Sequence, residues 1–423
     1  MSAALSIPLE YSTLIGLLRC AVNGKPPDSD LTSADWPSVL KQARQQGVDA
    51  FLFPWLAAHS PALFSFKAPV AGNSAPAAWR SLFLESLSHT LQRQRQLAEI
   101  LGACACAHIS VIPLKGAWLS ESVYDDPAQR SMSDLDLLIR ADDRDACHAL
   151  FLALGYAEKC DVLHNTFAND QVYRHATRPY LVEMHWGFTS DMTPDAQTPD
   201  VDAIWQRTFE AELLCQPVKQ LDPEDLLAHL VQHILHHQFA IPLRSYLDIA
   251  LLLKRFGNRL SAAGLDAAAD RWKVGRAISF VIELVSYVFD SPPPEKLPDC
   301  NTKIAPAHYT CALQALFNLS EARARDGELT LLQYQKESTP GRVKLILSRI
   351  FMPRAFLTIH YPYARHLYGL PIAWFCRTID LVQRNRERIR NIRNPGTAIA
   401  KNLAAAEMRV ALTAALLQQT KKA

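Results

Sequence analysis

Apolar positions in the first hundred residues recur at helical spacing. Leu14, Leu17, Leu18 and Val22 mark one helix, and Val39, Leu40 and Ala43 a second, with Ser33 or Asp35 as its cap. Ala77–Ala107 predicts a long helix with Leu82, Leu84, Leu87, Leu91, Leu97 and Leu101 as its apolar positions. Pro61 and the 67–76 segment fall between these patterns as loop. The period changes at Ile109. Ile109–Leu114 is short, apolar and rich in β-branched residues, which suits a buried strand. Lys115-Gly116 follows, then a helical stretch from Ala117, a loop with Asp125, Asp126 and Pro127, and a second apolar strand over 134–139. Asp142–Leu154 predicts a helix closed by Gly155. Gln171–His175 and Tyr180–Trp186 predict two more strands, joined as a hairpin.

Beyond Gly187 the pattern is helical again. Asp222-Pro223-Glu224 opens a helix through Leu226, Leu227, Leu230, Val231 and Ile234 to about His237. A second carries Tyr246, Ile249, Ala250, Leu252 and Leu253 to Phe256, with Gly257 as its stop. The spacing predicts helix over 262–290, a stiff linker at Ser291-Pro-Pro-Pro, and helices over 312–324, 342–351 and 371–392. The pattern as a whole predicts an α+β chain: a small mixed sheet embedded in N- and C-terminal helical regions.

Composition adds three points. Of 423 residues, 49% are hydrophobic and only 15 are Gly, as in a helix-rich globular protein. No apolar run is long enough to span a bilayer, and the first residues lack the basic and apolar pattern of a secretory signal. Nine scattered cysteines form neither a CxxC pair nor a regular framework, so the cytoplasm is the expected compartment. Net charge is +2, but residues 341–423 hold 15 Lys/Arg against 3 Asp/Glu, which leaves 29 against 39 elsewhere (44 less 15, 42 less 3). That basic C-terminal region is a candidate contact for an anionic partner.

The candidate chemistry begins at Asp134-Leu-Asp136. In a strand, residues two apart share a face, so the two carboxylates project together. Like charges held side by side need an offset, and a divalent cation with oxygen ligands supplies one. Glu183 interrupts another apolar strand, and a buried strand rarely carries Glu without a partner. If that strand runs beside the aspartate strand, three carboxylates converge on a site suited to displacement at phosphorus. Glu183 then serves as a metal ligand or as the base for the acceptor's proton. Lys115-Gly116 at a helix start lets backbone N–H groups approach phosphate, and Lys115 or Arg130 balances its charge.

These segments in order resemble the uncharacterised bacterial nucleotidyltransferase family of the DNA polymerase β-like superfamily. The residues that carry the likeness are Leu114-Lys115-Gly116, Arg130, Ser133-Asp134-Leu-Asp136-Leu-Leu-Ile, Gly155-Tyr156 and Val182-Glu183-Met-His185-Trp186. Gly116-Ala-Trp-Leu followed by Arg and Asp-Leu-Asp is also similar to the aminoglycoside nucleotidyltransferases. The likeness covers roughly residues 80–260, and extends weakly over Leu221–Leu230 and Tyr246–Ala250.

The resemblance implies a nucleotidyltransferase core at 108–190. Around it would lie an N-terminal helical region (1–107), a helical domain completing the cleft (191–290) and the basic C-terminal helical region (291–423). It implies two Mg²⁺ ions, with Mn²⁺ as the substitute, bound by Asp134, Asp136 and Glu183. It also implies an NTP donor near Lys115, Gly116, Arg130 and Ser133. One departure stands out: the superfamily's Gly-Ser is Gly116-Ala117 here, with Ser120, Ser131 or Ser133 as candidate replacements for the hydroxyl.

His229, His233 and His237 share one helix face at i, i+4 and i+8, with His236 beside them. They form a zinc site, line the cleft or pack against the core, and Asp248 on the next helix is placed to orient one of them. His185 shares the face of Glu183, and His164 is a lesser candidate. Arg384, Arg386, Arg388, Arg390 and Arg393 form a basic run, with Tyr361, Tyr363, Tyr368, Trp374 and Phe375 nearby as stacking or core groups. The expected activity is transfer of a nucleoside monophosphate to a hydroxyl or phosphate of a small-molecule, sugar or peptide acceptor. The alternatives are a nucleotide- or partner-binding protein without turnover, and an RNA-directed enzyme gripping through the basic run.

Overall fold

The computed structural model describes residues 6–27, 31, 34–64, 74–159, 168–190, 198–293, 305–318, 347, 350–351, 354, 357, 361–366, 368–391 and 398–417. At its centre is a five-stranded sheet: β1 (Ile112–Pro113), β2 (Asp134–Leu138), β3 (Tyr156–Glu158), β4 (Ala168–His175) and β5 (Leu181–Ser190), in the order β1-β2-β5-β4-β3. Only β2 and β5 pair in parallel; the other neighbours are antiparallel. Leu135, Leu137, Leu138, Val182 and Met184 fill the interior of this sheet. The rest of the described chain is largely helical, and the fold is α+β as the pattern implied.

The long helix Ala75–Cys106 braces the sheet. Gln96 is fully buried, and its amide donates to the Tyr180 carbonyl (2.8 Å) and accepts from the Tyr180 N–H (3.1 Å), which clamps the entry to β5. Arg93 donates to the carbonyls of Pro127 and Arg130, both at 3.3 Å, and pairs with Glu121 at 3.5 Å, which fixes the loop leading into β2. The buried stripe of this helix differs from the expected one. Leu84 and Leu91 are exposed, at 50% and 69%, while Trp79, Phe83, Arg93, Gln96, Ile100 and Cys104 face inward. Two polar side chains take inward positions because they satisfy backbone groups that no leucine can reach.

Caps follow local rules. The Asp35 side chain accepts from the Ser38 N–H, and Asp222 accepts from the Glu224 N–H with Pro223 at the first helical position. Three sequence readings need correction. Pro61 opens a short helix, Pro61–Phe64, rather than a loop. Residues 262–290 form two helices, Ala262–Trp272 and Ala277–Phe289, not one. The break lies at Lys273 and Gly275, both with positive φ, where the helix Ala398–Leu417 docks: Arg276 N–H donates to the Leu416 carbonyl at 3.0 Å. A Cβ on Gly275 would stand 2.6 Å from that carbonyl, so glycine lets the two backbones meet.

The third correction is a hairpin, β6 (Phe209–Leu213) with β7 (Gln216–Gln220), in a region read as wholly helical. Its turn residues Leu214 and Cys215 both have positive φ, a two-residue turn made without the usual Asn-Gly signal. His164 and most of the expected helix over 342–351, all but residues 347, 350 and 351, lie outside the described residues.

Gly116 is packed to its limit. A Cβ there would stand 2.1 Å from Nη1 of Arg130 and 2.7 Å from Cε of Met132. Arg130 cannot swing away, because Asp248 holds its guanidinium in two hydrogen bonds. Gly116→Ala should therefore lower the unfolding free energy by about 2 kcal/mol, the usual scale of overpacking. Urea denaturation measures this, and an unchanged midpoint would remove the close-approach role assigned to the glycine.

Candidate active site

The parallel register of β2 and β5 builds the site. Asp136 stands level with Glu183, and Leu138 with His185. Glu183 and His185 share one face of β5, as their spacing requires, and both turn toward Asp136. His185 Nε2 lies 3.1 Å from Asp136 Oδ1 and 3.9 Å from Glu183 Oε2. One ligand atom from each of Asp136, Glu183 and His185 lies within 4.8 Å of the others. Asp134, two residues earlier on β2, is half-buried beside this trio but outside that distance.

Lys115 closes the cluster. Its backbone takes a left-handed conformation (φ 43°) at the start of the helix Lys115–Ser122, and its Nζ reaches Asp136 Oδ1 at 2.7 Å. A non-glycine residue in that conformation stores strain, and such strain concentrates at functional positions. The Leu114 N–H donates to the Asp136 carbonyl at 2.9 Å, so backbone and side chain of this turn both grip the same residue.

The electrostatics of the carboxylates diverge. Burial pushes the Asp136 carboxyl up, but the Lys115 ammonium and His185 outweigh it and hold the group well below the usual carboxylate range. Glu183 is raised, first by burial and then by the charges of Asp136 and Asp134. Asp134 is raised by burial and by Asp136, against partial relief from Lys115 and a hydrogen bond from Ser133. Desolvation pulls the Lys115 ammonium down, yet the carboxylates around it leave it raised. One carboxylate is thus firmly ionised, and two neighbours are poised to hold a proton more readily.

Arg130 was expected to face phosphate. It is instead buried, at 6% exposure, with its Nε and Nη2 donating to the Asp248 carboxylate at 2.8 and 2.7 Å. Asp248 was expected to orient a histidine, but its carboxylate serves Arg130 and accepts from the Tyr124 hydroxyl at 2.7 Å. The pair neutralises both charges and ties the loop before β2 to the helix Leu243–Phe256.

A cavity of about 130 Å³ reaches the cluster at Asp136 and is also lined by Lys115, Gly116, Ser133, Asp134 and His233, while Glu183 and His185 are not part of its wall. Of the three serines considered for the missing hydroxyl, Ser133 lines this cavity, Ser131 a neighbouring one, and Ser120 is fully buried away from both.

The histidine face divides. His233 reaches the cavity, while His229 packs in the core between Phe188 and Trp272, at 5.2 Å from each ring. His233 and His237 are in ring contact, as are His236 and His237, and no histidine of this helix joins a metal-ligating group among the described residues. The position that the sequence reading missed is Arg244, which also lines the cavity. Nothing in the local pattern separates it from a solvated helix-start arginine.

The parallel strand pair with its acid cluster and the flanking helices define the class, and the comparisons agree. The family described as uncharacterised nucleotidyltransferase matches residues 32–290, more than half of the chain, and the chain belongs to it. It is a nucleotidyltransferase, and such enzymes draw on a nucleoside triphosphate. A comparison with curated proteins finds no match. Among the described residues, no helix is long and apolar enough to cross a membrane.

His229 makes a testable contribution to stability. Both of its ring nitrogens are buried without a hydrogen-bond partner among the described residues, and burial, then Lys115, lowers it to about 3 from an ordinary 6.5. The unfolded chain therefore takes up the proton first as pH falls. The stabilising share is whole above about 6.5 and is lost through the window down to about 3, at up to ~1.4 kcal/mol per pH unit. His229→Leu should leave stability at pH 7 unchanged or higher, and should flatten the decline between pH 6.5 and 5. Denaturation curves across that range decide it; an equally steep decline in the variant counts against the assignment.

Proposed function

We propose that the chain transfers a nucleoside monophosphate from an NTP to a hydroxyl or phosphate of a small-molecule, sugar or peptide acceptor, with Mg²⁺ as its metal and Mn²⁺ as the substitute. The observation that carries this reading is Asp136 level with Glu183 on adjacent parallel strands, beside Lys115 and His185. The donor set fits a hard divalent cation: two carboxylates converge, with Asp134 adjacent. The imidazole of His185 is a less usual magnesium ligand, and it favours Mn²⁺ as an alternative occupant or a role in orienting Asp136. Asp136 and Glu183 would hold the metal, with Asp134 completing the acidic wall. Bound there, a divalent ion neutralises triphosphate charge and activates the attacking oxygen.

The chain's own groups supply the rest. Lys115 places a positive charge at the cavity wall, where it meets a phosphate oxygen. Ser133, exposed at the rim, offers a hydroxyl in the region where Ala117 cannot. Glu183, raised by burial and by its acidic neighbours, is suited to take the proton of an acceptor hydroxyl. Gly116 and Arg130 sit under the cavity floor, where they fix the turn that carries Lys115.

The RNA-directed reading rests on Arg384, Arg386, Arg388, Arg390 and Arg393. Their side chains lie outside the described residues, whereas the small-molecule reading has the observed acid cluster and its cavity behind it.

The purified chain, given Mg²⁺, NTPs labelled at the α-phosphate and a small-molecule cell fraction, should form labelled product. Asp136→Asn and Glu183→Gln should each reduce labelling by at least about 10²-fold, the scale of removing one group that stabilises transition-state charge. Undiminished labelling in both variants would refute the site.

A further inference from the structure

Three cationic side chains line the small cavity: Lys115, Arg130 and Arg244. Lys115 faces Asp136 and Arg130 faces Asp248. Arg244 forms no ion pair among the described residues. Its Nη1 donates to the Ser131 carbonyl at 2.7 Å and lies 3.5 Å from the Ser131 hydroxyl, while its Nε is buried without an acceptor. Burial, then the charge of Arg130, lowers its pKa against partial relief from Asp248 and Asp134, and neither of these carboxylates forms an ion pair with it among the described residues.

Arg244 also lines a second and larger cavity, of about 390 Å³. The two cavities share Met132 and Arg244 as a common wall, and Ser131 lies on the side of the larger one. The larger cavity carries polar groups from three N-terminal helices, including Arg44, Asp49, Glu85 and His89. It is therefore a polar chamber that abuts the cavity holding Asp134 and Asp136, and the half-buried guanidinium of Arg244, without an ion pair among the described residues, stands at the junction. A guanidinium carries more N–H donors than the Ser131 contact uses, and its fixed charge suits an oxyanion.

We infer that the larger cavity is the acceptor site, and that the acceptor carries a phosphate or carboxylate which Arg244 binds beside the hydroxyl or phosphate to be modified. This rests on the nucleotidyltransferase reading for the word acceptor, but the oxyanion site itself does not. The oxyanion chemistry has two sources, a phosphate of the NTP or a group on the acceptor, and the volume of the larger cavity favours the second. The small cavity, at about 130 Å³, already meets the acid cluster and Lys115, whereas the larger one has space for a monosaccharide-sized molecule.

Titration calorimetry of the full chain with inorganic phosphate tests the inference. Phosphate should bind the wild type and remain bound when Mg²⁺ and saturating α,β-methylene NTP analogues are present. Arg244→Gln should weaken phosphate binding by about tenfold or more, and Arg244→Lys by about threefold, because lysine keeps the charge and loses the fork. Should the glutamine variant not fold, the lysine variant carries the measurement. Displacement of phosphate by the analogue would assign Arg244 to the nucleotide and overturn the inference. So would unchanged affinity in the folded variants, or no binding to the wild type at about 10 mM phosphate, a limit near 3 kcal/mol of affinity. Failure of the parent reading looks different: phosphate binds, but no analogue binds with Mg²⁺.

Discussion

The structure depends on two carboxylates placed level with one another on neighbouring parallel strands, with Asp136 at only 5% exposure. Two like charges at that separation in a desolvated wall repel strongly, and the fold must supply positive charge nearby. Lys115 does so at 2.7 Å from a left-handed backbone, and the next residue, Gly116, leaves room for the Arg130 guanidinium packed against it. Arg130 in turn stays there because Asp248 grips it from another helix. A chain of offsets therefore runs from the acid pair to the helix Leu243–Phe256, each link a charge or a contact that the previous one requires. The acidic cluster and the helical shell are one electrostatic unit, and a change in the shell reaches the acids without touching them.

Much of this was legible in the sequence, because it depends on local rules. Side chains two apart on a strand share a face, so Glu183 with His185 and Asp134 with Asp136 could be placed before any coordinates. The caps at Asp35 and Asp222 follow from residue type alone. What was hidden depends on distant partners. Arg93 and Gln96 look like the polar side of a helix, yet they face inward because loop carbonyls and the Tyr180 backbone await them. Leu84 and Leu91 fit the apolar stripe, yet they are exposed because those polar side chains occupy the inward positions. The β6–β7 hairpin lacked its turn signal, since Leu214 and Cys215 adopt positive φ against their own preference.

The three cations of the cavity show the same limit at the level of function. In sequence they are equivalent: a lysine before a glycine, an arginine in a loop and an arginine at a helix start. Their fates differ only through their partners. Lys115 belongs to the acids, Arg130 is consumed by Asp248, and Arg244 keeps its charge unspent at a wall shared by two cavities. A partly desolvated charge without an ion-pair partner is costly, and a bound anion offsets that cost. The acids lie within the segment that the nucleotidyltransferase family matches. In the acceptor reading, choice rests on the cation that makes no ion pair among the described residues, and no local motif encodes that, because it depends on which distant groups the fold brings near.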